Sequence, residues 1–169
     1  MPSAIKLNGK FSKNFNELIK NKINSKEQLK NIEKEAALIL KSLGGQPKDN
    51  NLNKTVLVIG YVQSGKTTSF QRLIALAGDN GYKLAIIFAG TGNLLLNQTA
   101  QRLEDELKGN SYDISITDVN PKPENISDIK DSLSLSDLTV IPVLKHYSHI
   151  GKLAELLSDR NIKSLLHNS

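Results

Sequence analysis

A short run of glycine, lysine and threonine carries most of the chemistry that this sequence offers. The segment 60–67 satisfies the pattern GxxxxGK[ST] through Gly60, Gly65, Lys66 and Thr67. An apolar run at 56–59 precedes it and a helix-compatible stretch follows it to residue 77. In a phosphate-binding loop the glycines let backbone N–H groups turn toward a phosphate, and the start of the next helix favours the same anion. The segment therefore predicts binding of a nucleoside triphosphate.

Each residue type in the loop has an expected role with ATP and Mg²⁺. Lys66, the candidate catalytic residue, would contact the β- and γ-phosphates, and the Thr67 hydroxyl would ligate Mg²⁺. The residues expected to bind the nucleotide are Gly60, Gln63, Ser64, Gly65, Lys66, Thr67 and Thr68. The competing interpretation is a glycine-rich turn between a strand and a helix, with an incidental lysine.

The acidic strand that hydrolysis usually requires has no convincing candidate. Such a strand is apolar and ends in a carboxylate that holds Mg²⁺. Residues 114–118 end in Asp118 but alternate like a half-exposed strand, and the apolar run 138–144 is followed by Lys145 and His146. We therefore expect the sequence to stop before this strand, and this part alone to bind ATP weakly without appreciable turnover.

A second segment has the composition of a nucleic-acid contact. Residues 89–93, Ala-Gly-Thr-Gly-Asn, follow a predicted strand, and the next helix continues through Gln98-Thr99-Ala100-Gln101-Arg102. Small residues at the carboxyl end of a parallel strand let backbone N–H groups approach a phosphate. The candidate DNA contacts are Thr91, Asn93, Gln98 and Arg102. A tight turn before a well-capped helix explains the same residues equally well.

The order of predicted elements indicates an α/β fold with a parallel sheet. Helices are predicted at 11–23, with Ser12 as N-cap, and from a capping box at Ser25–Gln28 to Gly44-Gly45. Later helices are predicted at 66–77, 94–107 and 150–157. Strands are predicted at 55–59, 83–89, 112–117 and 138–144, and Pro142 near the end of the last suggests an edge strand or an early exit from the sheet. The stretch 121–137 is interpreted as a loop with at most one turn of helix. We divide the chain into a basic helical extension and linker, 1–50, and a nucleotide-binding domain, 51–169.

Charge is concentrated at the N-terminus. The net charge of the chain is +5, and residues 1–50 contain ten lysines against five acidic residues, so the remainder is electrically balanced. The lysines at 20, 22, 26, 30, 34 and 41 could contact a nucleic-acid backbone. A solvated helix face is the commoner reason for such a pattern.

The glycine-rich loop and the segments after it resemble the Z-one domain family. These are bacterial proteins described as endonucleases and associated with a helicase-like ATPase module of superfamily two. The resemblance covers about 45 residues and rests on Val62–Thr67, Asp79, Gly81, Tyr82, Ala89, Gly90, Asn93, Gln98, Thr99 and Arg102. Leu96 stands where the family often has an arginine. The resemblance implies a partial RecA-like sheet in an ATP-dependent, DNA-directed protein of a restriction or phage-defence system.

Two other function classes stay open at this point. A small nucleotide kinase would need arginines converging on a phosphate, and the chain has only Arg72, Arg102 and Arg160. A non-catalytic nucleotide- or DNA-binding module is the other alternative. His146 and His149 are three residues apart, but without cysteine or further histidine nearby they favour surface or structural roles over a metal site. The absence of cysteine and of a long apolar run predicts a cytoplasmic protein without membrane contact. The missing acidic strand and the family resemblance imply that it works with the remaining domains of a longer protein.

Overall fold

The computed structural model describes residues 4–23, 25–47, 55–57, 66–117 and 126–167. In chain order the elements are α1 (Lys10–Ile19), α2 (Lys26–Ser42), α3 (Lys66–Asp79), β1 (Leu84–Phe88), α4 (Asn93–Leu103), a single π-helical turn (Glu104–Lys108), β2 (Ile114–Ile116), α5 (Ile126–Leu135), β3 (Leu138–Val143), α6 (Tyr147–Ser158) and α7 (Arg160–His167). They form two compact units, Met1–Tyr82 and Lys83–Ser169. The predicted α/β class with a parallel sheet is confirmed. That residues 51–169 form one nucleotide-binding domain stays a prediction.

The first unit is built from three helices, with α1 and α2 both packed on α3. The centre of the contact between α2 and α3 is formed by three side chains that are at most 1% exposed, those of Ala36, Leu40 and Leu76. Phe15 and Ile19 of α1 are equally buried. The helix after the glycine-rich loop therefore shares its core with the N-terminal helices, which is how their amphipathic faces are covered.

Helix α2 follows the sequence prediction at both ends. The Ser25 side chain accepts a hydrogen bond from the backbone N–H of Gln28 at 3.3 Å, as expected of an N-cap. At the other end Gly44 and Gly45 have φ of 111° and 83°. The Gly45 N–H donates to Leu40 and the Gly44 N–H to Lys41, which is the Schellman arrangement that glycine permits.

The predicted start of α1 was wrong. Ser12 is not the N-cap but lies inside the helix and is fully buried, while Gly9 occupies the cap position. The helix also ends at Ile19, before the predicted residue 23. Ser12 was predicted as the cap because serine is common at that position, but its hydroxyl instead accepts a hydrogen bond from Arg72 of α3.

The second unit contains a three-stranded parallel sheet in the order β1-β3-β2. Leu84 pairs with Thr139 on one side of β3, and Ile114 pairs with Leu138 on the other. Ile141 and Val143 join a cluster with residues of α5, α6 and α7, namely Ile129, Leu133, Leu153, Leu156 and Ile162. Leu138 and Val140 alternate to the opposite face and are fully buried as well. The central strand is thus covered on both faces.

Pro142 does not place β3 at the edge of the sheet, so the edge alternative was wrong, although the strand does end one residue later, at Val143. In a parallel strand alternate residues direct their backbone groups to opposite neighbours. Thr139 donates to Lys83 on the β1 side, whereas Val140 accepts from Thr117 on the β2 side. Pro142, two residues after Val140, therefore faces the β2 side, where β2 has already ended at Ile116. Its missing N–H costs no bond to the β2 strand, so proline is tolerated in a central strand.

The stretch predicted to be a loop at 121–137 contains a helix of ten residues, α5. Its serines and aspartates suggested a loop, but Ile129 and Leu133, four residues apart, form one buried face. Of the predicted strand 55–59, residues 58–59 lie outside the described residues, and the described part, 55–57, is not assigned to a strand. Within the described part of the chain, no helix is long and apolar enough to cross a membrane.

Candidate functional site

The predicted phosphate-binding residues divide between described and undescribed parts of the chain. Gly60, Gln63, Ser64 and Gly65 lie outside the described residues, as does Asp118, the one weak candidate for an acidic partner. Helix α3 covers Lys66–Asp79, so Thr67 and Thr68 lie near the N-terminal end of its described part. Both threonines are partly buried. A helix N-terminus directly after the loop sequence fits a phosphate group, because its free N–H groups favour an anion.

Arg72, one turn further along α3, is held in a buried position. It is 1% exposed, and its guanidinium donates to the Leu7 carbonyl at 3.0 Å and to Glu33 of α2 at 3.1 Å. It also donates to the Ser12 hydroxyl of α1. Burial lowers the pKa of Arg72, and the Glu33 carboxylate opposes this. Because arginine stays charged throughout the physiological range, this side chain is a permanent link between the three helices.

The other end of α3 is tied to the segment before α1 by Asp79. Its carboxylate accepts three backbone N–H bonds, from Gly9 at 3.1 Å and from Phe11 and Ser12 at 3.0 Å each. A carboxylate at this point caps the free N–H groups of α1 and complements the positive end of its dipole. Asp79 belongs to the residues that carry the family resemblance, and its visible role here is structural.

Asn80 and Gly81 complete this junction. The Asn80 side chain exchanges two hydrogen bonds with the backbone of Lys6, at 2.8 and 3.0 Å, and donates to the Leu76 carbonyl at 2.8 Å. Gly81, with φ of 94°, ends α3, and the Tyr82 N–H donates to Ala77 at 3.1 Å. The turn that follows α3 is therefore also the anchor of the N-terminal segment.

In the second unit, the loops after β1 and β3 lie side by side at the carboxyl edge of the sheet. We call residues 89–93 and 144–147 the carboxyl rim. The Ala89 N–H donates to Val143 at 2.9 Å, and the Lys145 N–H donates to Gly90 at 2.6 Å. Helices α4 and α6 begin at this rim. Because the strands are parallel, the N-termini of both helices come to the same edge.

The predicted DNA contacts are distributed along the rim and α4. Thr91 and Asn93 are exposed at the rim, and Gln98 and Arg102 are exposed further along the helix. Arg102 lies nine residues after Asn93, or about 14 Å along the axis, so it is not part of the rim itself. Leu94, Gln98 and Arg102 share one exposed face because they follow at intervals of four.

Sequence reasoning missed the half of the rim that follows β3. Lys145 and His146 are exposed, and the ring of Tyr147 is 82% exposed and lies 4.4 Å from that of His146. No aspartate or glutamate occurs in 88–99 or 144–152, which contain Lys145 and Lys152. The sequence did contain a signal, because Lys-His-Tyr follows the apolar strand β3 much as Gly-Thr-Gly follows β1. Only an acidic residue was considered as a candidate at this position.

His146 and His149 lie at the start of α6, and their rings contact each other. His146 is the N-cap of α6, and its Nδ1 lies 3.4 Å from the Ser148 N–H and 2.8 Å from the Ser148 hydroxyl. The ring of His149 stands edge-on to it at 5.9 Å. Among the described residues, no group of three or more metal-ligating side chains occurs.

Comparison with known proteins adds no relative to this picture. No family model, curated protein or solved structure matches the chain. The resemblance to the Z-one domain family therefore remains a prediction from the motif residues.

Proposed function

We propose that the chain is the ATP-binding part of a helicase-like, DNA-directed ATPase. The observation that carries this is the complete GxxxxGK[ST] sequence at 60–67, together with helix α3, which covers Lys66–Asp79. A parallel sheet with helices between its strands is the setting in which such loops occur. ATP is the triphosphate of choice because the guanine-reading NKxD pattern does not follow the loop.

The residues that would hold the nucleotide are those of the loop and of the first turn of α3. Bound Mg²⁺·ATP would supply a polarised γ-phosphate. Lys66 would stabilise negative charge on the β- and γ-phosphates, and Thr67 would contribute a hydroxyl to the metal. The backbone of Gln63, Ser64 and Gly65 would orient the phosphate through N–H groups. An acidic residue to activate water is still required, so we assign binding to this chain and hydrolysis to the larger protein.

The carboxyl rim is the surface of the second unit that would contact DNA. The rim combines exposed backbone at two helix N-termini with Lys145 and an exposed Tyr147, in segments without a carboxylate. Such a surface suits a phosphodiester strand, because the lysine and N–H groups contact phosphates and an aromatic ring stacks with a base. In the full protein, ATP binding would be coupled to movement along DNA or to its cleavage.

The test is calorimetry of Mg²⁺·ATP with Lys66→Ala and with Lys163→Ala. Lys66→Ala is expected to lose roughly 2–5 kcal/mol of affinity, the usual cost of removing one partner of a desolvated charge pair. Lys163 is an exposed lysine of α7 and its removal should leave affinity unchanged. Equal affinity of the Lys66→Ala variant and the unaltered chain would end the phosphate-loop interpretation. Phosphoryl transfer to a nucleoside by this chain would establish the kinase alternative instead.

A further inference from the structure

Helix α2 carries four lysines on a single side. Lys26, Lys30, Lys34 and Lys41, which we call the lysine stripe, are all exposed. At 3.6 residues per turn they fall within a sector of about 80° around the helix axis. From first to last they extend about 22 Å along the helix. The stripe is therefore a continuous linear array of positive charge.

The stripe is not neutralised by the rest of the described structure. Among the described residues, none of the four lysines makes an ion pair. Of the helix's own acids, Glu33 is bound to Arg72 and Glu35 lies on the opposite side. Glu27 borders the stripe in the first turn. Helix α1 differs, because there Glu17 lies between Lys13 and Lys20 and pairs with Lys20 at 3.9 Å.

The stripe faces solvent because the apolar side of α2 is already occupied. Ile32, Ala36 and Leu40 point into the core of the first unit and are at most 8% exposed. The helix therefore has no free apolar face to insert into a bilayer, as an interfacial membrane helix would need. The solvent side of α2 carries these four lysines together with the exposed Leu38, and successive lysines are about 6, 6 and 10.5 Å apart along the axis.

We propose that the lysine stripe of α2 binds the phosphodiester backbone of nucleic acid. A phosphodiester chain is the polyanion whose regular charge spacing matches a straight row of lysines, and such contacts carry affinity without reading sequence. The stripe is separate in sequence from the residues proposed for ATP and from the rim. It would hold nucleic acid whether or not ATP is bound.

The experiment measures fluorescence anisotropy of a labelled 20-base-pair DNA duplex with the full chain over 50–200 mM salt. Lys30→Gln/Lys34→Gln removes two stripe charges and should reduce the slope of log K against log salt by about two. That corresponds to about a tenfold smaller loss of affinity across this salt range. The matched control, Lys13→Gln/Lys20→Gln on α1, removes the same charge and should leave most of the slope in place.

Further arms separate the competing outcomes. Binding of an RNA duplex with the same lysine dependence would support recognition of the shared backbone. An unchanged slope for Lys30→Gln/Lys34→Gln would overturn the stripe. If only Lys145→Gln/Lys152→Gln lowered the slope, DNA would be held at the rim, and the proposed function would survive the stripe's failure. If Lys30→Gln/Lys34→Gln lost binding to phosphatidylserine vesicles as strongly as binding to DNA, the nucleic-acid proposal would be overturned. The stripe would then be assigned to an anionic lipid surface.

Discussion

Asp79 shows how one side chain can determine the position of a helix that is distant in sequence. It caps α1 from the end of α3, about seventy residues away, by accepting three N–H bonds. A carboxylate can dock there only because Gly9 has no side chain. A Cβ at residue 9 would lie 2.0 Å from Oδ1 and 2.2 Å from Cγ of Asp79. Glycine is needed here for space, since its φ of −81° is available to any residue.

Gly9→Ala is therefore expected to destabilise the protein by about 2–4 kcal/mol, because the carboxylate must move and several charge-assisted bonds weaken. Gly151→Ala is the matched control. A Cβ there meets nothing within 4 Å, and alanine in helix α6 should raise stability by about 0.5–1 kcal/mol. Urea denaturation of the two variants checks the opposite signs. Equal effects of the two substitutions would contradict the docking role of Gly9.

At the scale of elements, α7 is joined to α5 by a charged cap. Asp159 precedes α7, and its Oδ1 accepts from the Asn161 N–H at 2.9 Å and from the Ile162 N–H at 3.2 Å. Lys130 of α5 lies 3.3 Å from the same oxygen. The Ile162 N–H, with smaller contributions from Asn161 and Lys130, lowers the pKa of Asp159. The ionised form is thus favoured by folding.

The pH dependence follows from the direction of that shift. A carboxyl whose pKa is lower in the folded state stabilises the protein above its unfolded pKa, near 3.9, and loses this contribution as pH falls through the folded value. Asp159→Asn should therefore lower Tm at pH 7, and the difference should shrink toward zero as pH falls through the lowered pKa of Asp159. Asp131→Asn, an exposed position of α5, serves as the control and should change Tm little at either pH. A difference for Asp159→Asn that stays constant with pH would refute the charged cap.

The helices and strands that follow strong local rules could be predicted from sequence. The capping box and the double glycine predicted both ends of α2, and continuous apolar runs predicted parallel strands at 55–59 and 83–89, of which the second is β1. Three features could not be predicted because they depend on contacts distant in sequence. Ser12 is used by Arg72, Pro142 is tolerated because β2 ends early, and α5 is a helix because a core covers two of its residues.

The candidate sites show the same division between local and distant information. Motif spacing identified Lys66 and Thr67, and the small residues after β1 indicated one half of the rim. The half containing Lys145 and Tyr147 could not be predicted, because it depends on the hydrogen bond from the Lys145 N–H to the Gly90 carbonyl, which joins two loops distant in sequence. Likewise, the N-terminal lysines formed a pattern in the sequence, but the pairing of Glu33 with buried Arg72 could not be read there.

At the scale of the whole molecule, the N-terminal helices belong to the fold of α3 and are not an appended arm. They cover Leu76, which packs fully buried against Ala36 and Leu40, and they contain the Ser12 and Glu33 partners of Arg72. A helix of 14 residues is marginal in water by itself, so α3 depends on these contacts.

Deletion of residues 1–47 is therefore expected to expose the α3 amides. Hydrogen–deuterium exchange should show them exchanging with solvent at nearly unfolded rates. Deletion of residues 1–4 should leave them protected. If α3 stayed protected without residues 1–47, the helix would draw its stability from other parts of the chain. The basic segment could then be treated as a removable extension, and loss of DNA binding on its deletion could be interpreted directly.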